Sequence, residues 1–276
     1  TTNGKAGGGR VHISPERDFA KVEAELGVGE WSDWIFNVVE TRGGRAQGGF
    51  RFRLNELSSD GERFELYRTP IYSTSGWTNP APLAKEITKV IGPYASGYES
   101  YPMSPHSRKY NDIYFEQVSQ FANYLADTAE YLKGQWDILI TQIHVQDEFC
   151  HEVGFEGIDS TSPSYRPDRA SRDWEIMRRQ YQVCDQWIGR LIKECADENT
   201  LIAIISDHAA IPIRKTININ QALVNAGLLT TEEDPKTGSL RVDWTRTKAY
   251  NRPGFPVGYI WVNVRGRDPG GIVSPG

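Results

Sequence analysis

Asp147 and His151 stand four residues apart in "TQIHVQDEFCHEVGF", and Asp207 is followed directly by His208 in "NTLIAIISDHA". A carboxylate supplies charge and a neutral imidazole supplies a nitrogen, the donors that zinc and related divalent ions take. Asp-x-x-x-His lets one turn of backbone bring both side chains to one ion. Adjacent Asp-His can do so where a strand ends and the chain bends. Two such pairs suit two ions roughly 4 Å apart, the clamp that holds the attacking and leaving oxygens of a phosphoryl transfer. Either pair alone is a common surface arrangement. Their joint placement behind two apolar runs is what points to metal.

Other chemistries find less support. Asp147 with Glu148, Glu152 or Glu156 would make the paired carboxylates of a glycosidase, but nothing in the spacing selects a pair. "HEVGFE" lacks the second histidine of a zincin helix. There is no G-x-S-x-G elbow, and Cys150 beside His151 does not define a nucleophile and its base. "GKAGGGR" has the wrong spacing for a phosphate-binding loop and no strand before it. His144 lies within an apolar run and reads as a packed or supporting histidine. His12 and His106 have no ligand-like neighbours.

The elements that must position these residues follow from periodicity. Tyr114, Val118, Phe121, Leu125, Thr128 and Leu132 alternate steps of four and three, a helical stripe that ends at Gly134. "WDILITQIHV" and "NTLIAIISDHA" are near-continuous apolar runs, the pattern of strands buried on both faces. Between them, Ser171 is placed to cap a helix with Trp174, Met177, Tyr181, Cys184, Ile188, Leu191 and Cys195 on its apolar face. "INQALVNAGLL" is a shorter helix and "GYIWVNV" a further strand. Alternating helices and strands imply a parallel sheet with crossover helices. In such sheets ligands bind beyond the carboxyl ends of the strands. Both Asp-His pairs fall there.

Residues 31–75 have another character. "WSDWIFNVVE", "GGFRFRLNEL" and "RFELYRTPIY" are aromatic or β-branched and are separated by turn residues. Phe50, Phe52 and Leu54 share one face and Arg51 and Arg53 the other, as in a half-buried antiparallel sheet. "PAPLAKEITKVIGP" follows as a helix closed by Gly-Pro. The division expected is an irregular Gly-rich segment over 1–30, a β-rich insertion or cap over 31–110, and part of an α/β core over 111–276.

The net charge of −5 argues against a general nucleic-acid surface. No apolar run approaches the roughly 20 residues of a membrane span. Three cysteines without a CxxC pair make a disulfide framework unsuitable.

"DILITQIHVQDEFCH", "YQVCDQWIGRLI", "NTLIAIISDHA", "INQALVNAGLL" and "YIWVNVRGRDPGGIVSPG" together resemble the type I phosphodiesterase/nucleotide pyrophosphatase branch of the alkaline phosphatase superfamily. The resemblance covers residues 110–276 best. It implies an alkaline-phosphatase-like core and a small-molecule phosphoester substrate, hydrolysed with two divalent ions, zinc or alternatively manganese. Asp147 and His151 would serve one ion, Asp207 and His208 the other. The family's early aspartate, its Ser or Thr nucleophile and its late histidine have no match here, so the chain reads as the middle of a longer enzyme, inactive alone. Ala209 stands where the family usually has Gly. Arg166, Arg169 and Arg172 are candidates for phosphate contact, with a solvated basic face as the other reading. A non-catalytic relative serving in binding or assembly is the alternative function.

Overall fold

The computed structural model describes residues 9–95, 108–152, 155, 157–252 and 259–276, with the side-chain surroundings of Phe19, 108–110, 148–150 and Glu152 left out. Two compact units divide at Pro212 and Ile213.

In the first unit, strands β1 (Val11–Ile13) and β2 (Ala24–Leu26) form a small antiparallel pair. β3 (Ile35–Thr41) and β4 (Gly44–Phe50) make a hairpin, with β7 (Tyr72–Ser73) on the other edge of β4. β5 (Phe52–Leu57) pairs with β6 (Phe64–Arg68). The antiparallel character expected of this region is therefore present. "GGFRFRLNEL" is two strands, however, because the chain changes partners at Arg51. The Arg51 N–H donates to the Thr69 hydroxyl (3.0 Å) and the Phe52 N–H to the Ser32 hydroxyl (2.9 Å). Side chains thus take over where one ladder stops and the next begins. The short helix α1 (Leu83–Val90) follows, with Ala84 and Ile87 buried.

Helix α2 (Arg108–Tyr131) carries the expected stripe, and Gly134 just beyond it has φ 82°. Tyr114, Val118 and Phe121 pack with Val145 of α3 (Val145–Glu152) and with Ile176, Val183 and Trp187 of α4 (Ala170–Cys195). Arg179 pairs with Asp112 (2.7 Å) and Arg190 with Asp127 (2.6 Å). Later residues of α4 meet later residues of α2, so the two helices run parallel.

The buried face of α4 is rotated from the expected stripe, with Cys184 still buried and Met177, Ile188 and Leu191 still packed against the core. Asp173 and Gln180 are buried, while Trp174 and Tyr181 are exposed. Gln180 Nε2 lies within hydrogen-bond distance of the Tyr114 hydroxyl (3.3 Å) and Asp173 pairs with Arg169, so both polar groups are partnered inside. Ser171 is not the cap. The helix starts one residue earlier, out of a turn in which the Ala170 N–H already donates to the Arg166 carbonyl.

The apolar runs before the two Asp-His pairs are not strands here. Residues 137–144 and 201–207 have no regular structure, with Ile140 89% and Ile205 91% exposed. Every ladder between described strands is antiparallel, and the parallel bridge among the described residues joins Val264 and Val273. The apolar pattern states a demand for burial. A strand also needs neighbours for its N–H and C=O groups, and none of the described strands lies against these runs.

The second unit holds α5 (Ile219–Asn225), whose first turn is capped by Asn218 accepting from the Gln221 N–H (3.0 Å). It also holds two hairpins, β8 (Thr231–Glu233) with β9 (Leu240–Val242), and β10 (Ala249–Asn251) with β11 (Ile260–Val262). Leu223, Leu229 and Ala249 form its core.

Candidate metal centre

α3 exists because Val145, fully buried, anchors its first turn against α2 and α4. The helical period then sets Asp147 and His151 on one face, one turn apart. His151 Nε2 lies 3.3 Å from Asp147 Oδ2, and the imidazole is open to solvent. His151 is also in the last turn, where the helix dipole favours positive charge. A tetrahedral zinc with bonds of roughly 2.0–2.1 Å has ligand atoms about 3.3–3.4 Å apart. The pair therefore fits two corners of such a site.

Asp207 and His208 lie on an exposed, irregular segment. The Ser206 hydroxyl donates to the His208 carbonyl (2.6 Å), and the His208 N–H donates to Asp207 Oδ1 (3.1 Å). His208 Nδ1 lies 3.2 Å from the Ala209 carbonyl. A carbonyl only accepts, so Nδ1 carries the proton in that contact and the neutral ring keeps its lone pair on Nε2. That Nε2 is 3.7 Å from Asp207 Oδ2, another acceptor. In that tautomer both atoms are acceptors and a cation is a partner each could take. Ala209 imposes no left-handed backbone, since no non-glycine residue among those described has positive φ.

The structure brings together the members of each pair but does not join the pairs. Among the described residues, no three His, Cys, Asp or Glu side chains converge as a set able to hold a metal ion. Each pair stands as a two-donor unit, whereas catalytic zinc takes three protein ligands.

The supporting residues sort differently from expectation. His144 is exposed, with Nε2 2.8 Å from Gln142 Nε2, and is not packed in a core. Arg166 and Arg172 are exposed, but Arg169 is tied to the buried Asp173 carboxylate at 3.2 Å. Glu156 and His106, and the side-chain surroundings of Glu148, Cys150 and Glu152, lie outside the described residues.

Sequence reasoning missed the polar cluster around Arg53. Its Nε and Nη2 donate to the two oxygens of Glu116 (2.6 and 2.8 Å), Trp31 Nε1 donates to the same carboxylate (2.7 Å), and Nη1 donates to Asn55 (2.9 Å). Arg53 is 8% exposed, so the face assigned to solvent is covered by α2. The strand alternation gave no sign of this, because the partner is 63 residues away.

The family model of type I phosphodiesterase / nucleotide pyrophosphatase matches residues 46–266, a span holding all four Asp-His residues. The chain belongs to this family. It is thereby a member of the alkaline phosphatase superfamily, within a group of phosphoester hydrolases that are generally metal-dependent. The match begins well before residue 110, so it takes in most of the β-rich region as well. No curated protein and no solved structure matches the chain. Among the described residues no helix is long and apolar enough to cross a membrane.

Proposed function

We propose that the chain carries metal-ligating parts of a phosphoester hydrolase acting on small phosphodiesters or phosphomonoesters. Asp147 and His151 serve one divalent ion, Asp207 and His208 a second. Zinc is the favoured metal, because the 3.3 Å spacing of Asp147 Oδ2 and His151 Nε2 suits its short bonds; manganese is the alternative. When bound, two such ions supply positive charge to a phosphoryl group and lower the pKa of an attacking oxygen. The chain's residues do the positioning. α3 holds His151 beside Asp147, and the Ala209 carbonyl keeps the His208 proton on Nδ1, leaving Nε2 as the donor.

The observation that carries this reading is the facing of two acceptors, His208 Nε2 and Asp207 Oδ2, in a chain of a metal-dependent family. In the same reading, residues 137–144 and 201–207, irregular here, take up strand pairing in a parallel sheet when partner strands are present, and residues 31–110 form a cap. The parallel run of α2 and α4, on either side of the first apolar segment, supports this. Helices of successive right-handed crossovers on one sheet face run parallel.

No described residue is assigned as the nucleophile, and each pair lacks a third ligand. The chain alone should therefore turn over little of a bis-aryl phosphodiester with zinc or manganese. Robust, chelator-sensitive turnover would place a nucleophile among residues 1–276. Turnover that survives chelation and persists in Asp207→Asn would exclude the metal assignment.

A further inference from the structure

We propose that the cleft between Trp34, Arg51, Tyr72, Ile91 and α2 binds a small aromatic monoanion, with Arg51 as its charge partner. The cavity is about 210 Å³, room for roughly seven waters at ~30 Å³ each. None of the four proposed metal ligands lines it. Trp34, Tyr72, Phe121 and Tyr124 supply flat apolar wall, and Arg51 and Gln120 supply polar edge.

Arg51 is the reason to expect an anion. Its guanidinium sits over the rings of Trp31 and Trp34, 5.7 and 5.6 Å from their centroids. Nε donates to the Ser32 carbonyl (2.7 Å) and Nη1 to Gln120 Oε1 (3.3 Å). A guanidinium has five N–H donors, so three have no partner among the described residues. No carboxylate of a described residue stands within ion-pair distance of it, and Asp33 acts on it only from further away. Burial lowers the Arg51 pKa, opposed by Asp33, but guanidinium stays charged at neutral pH. The carboxylate that lines the cavity, Asp127, is held by Arg190 at 2.6 Å, a guanidinium it shares with Glu194 at 2.8 Å. Arg51 therefore keeps a charge without a direct ion-pair partner among the described residues, beside aromatic walls.

The structural reading of Arg51 is that its stack and its bond to Ser32 pin residues 31–34 onto β4 and β5. That explains the stem, the ring faces and Nε. It leaves the remaining donors and the charge unused beside a cavity. A planar ring carrying one carboxylate or phosphate monoanion answers both, since the ring stacks on the walls and the anion meets the guanidinium fork.

The test is calorimetric titration of the chain with benzoate and with phenyl phosphate, using benzyl alcohol as the neutral comparison, repeated with chelator present. Saturable binding of benzoate is expected, with benzyl alcohol at least tenfold weaker. Arg51→Gln should lose at least tenfold, and Ile91→Phe, which narrows the cleft and leaves Arg51 in place, should also weaken binding. Perturbation of the Trp34 indole resonance in the unaltered chain localises the ligand without relying on a variant that folds. Asp207→Asn and chelation should leave benzoate binding unchanged, so failure of the metal reading would not disturb this result. Benzoate binding that is absent, unaffected by Arg51→Gln in a folded variant, or lost on chelation would overturn the proposal. Phenyl phosphate that alone binds, and only with metal, would assign the anion to the Asp-His pairs.

Discussion

Arg169 Nη2 lies 3.2 Å from Asp173 Oδ2, one turn along α4, and Asp173 is fully buried. The chain closes over this pair at Gly157, where a Cβ would come within 2.8 Å of the same oxygen. Asp173 Oδ1 has no hydrogen-bond partner, so the carboxylate depends on Arg169 for compensation. Arg169→Ala should therefore destabilise the fold by roughly 3–5 kcal/mol, the cost of leaving a buried charge unpaired. Arg166→Ala and Arg172→Ala, both exposed, should stay within about 0.5 kcal/mol. Urea unfolding of the three variants separates a structural arginine from two that remain free to meet phosphate.

Glu116 accepts from both Arg53 and Trp31 and is the carboxylate paired with Arg53. Glu116→Ala should cost roughly 2–4 kcal/mol, below the fully buried range because the carboxylate is 37% exposed. Replacing Arg53 and Glu116 together by Met and Leu should recover most of that loss, because no lone charge remains. A double-mutant cycle by chemical denaturation reads both quantities.

Burial pushes the Tyr124 phenol up to about 12, against a smaller lowering by Thr128. The unfolded chain releases this proton near pH 10. Between pH 10 and about 12 the unfolded state binds fewer protons than the folded one, so stability falls as pH rises, by roughly 1.4 kcal/mol per unit at most. Below pH 10 the group contributes no pH dependence. Tyr124→Phe should match the parent at pH 7 and lose this part of the alkaline decline. Unfolding midpoints of both proteins from pH 7 to 11 give the difference directly.

What was legible in the sequence was local. The stripe of α2 and its stop at Gly134, the short helix α5 and the hairpins between residues 35 and 73 depend on neighbours within a few residues. Each Asp-His pair was legible for the same reason, since helical spacing or adjacency alone brings Asp147 to His151 and Asp207 to His208. The buried face of α4 was only partly legible because Asp173 and Gln180 are polar letters whose partners, Arg169 and Tyr114, make burial tolerable. Arg53 was placed toward solvent because Glu116 covers it from a distant helix. The apolar segments 137–144 and 201–207 announce a need for burial, but strand formation rests on partners that a segment cannot specify for itself. Convergence of the two Asp-His pairs is non-local in the same way.

The central claim is that Asp147 with His151 and Asp207 with His208 are two metal half-sites. It is tested most directly by zinc titration against a chromophoric chelator, with circular dichroism confirming that each protein is folded. The unaltered chain should bind two equivalents weakly, since each ion has two protein donors. Asp147→Asn should weaken one equivalent by at least about tenfold and Asp207→Asn the other, as expected when a ligand's charge is removed. Glu148→Gln should leave both unchanged. Zinc binding that is indifferent to both aspartate substitutions, or as sensitive to Glu148→Gln as to Asp207→Asn, would contradict the assignment.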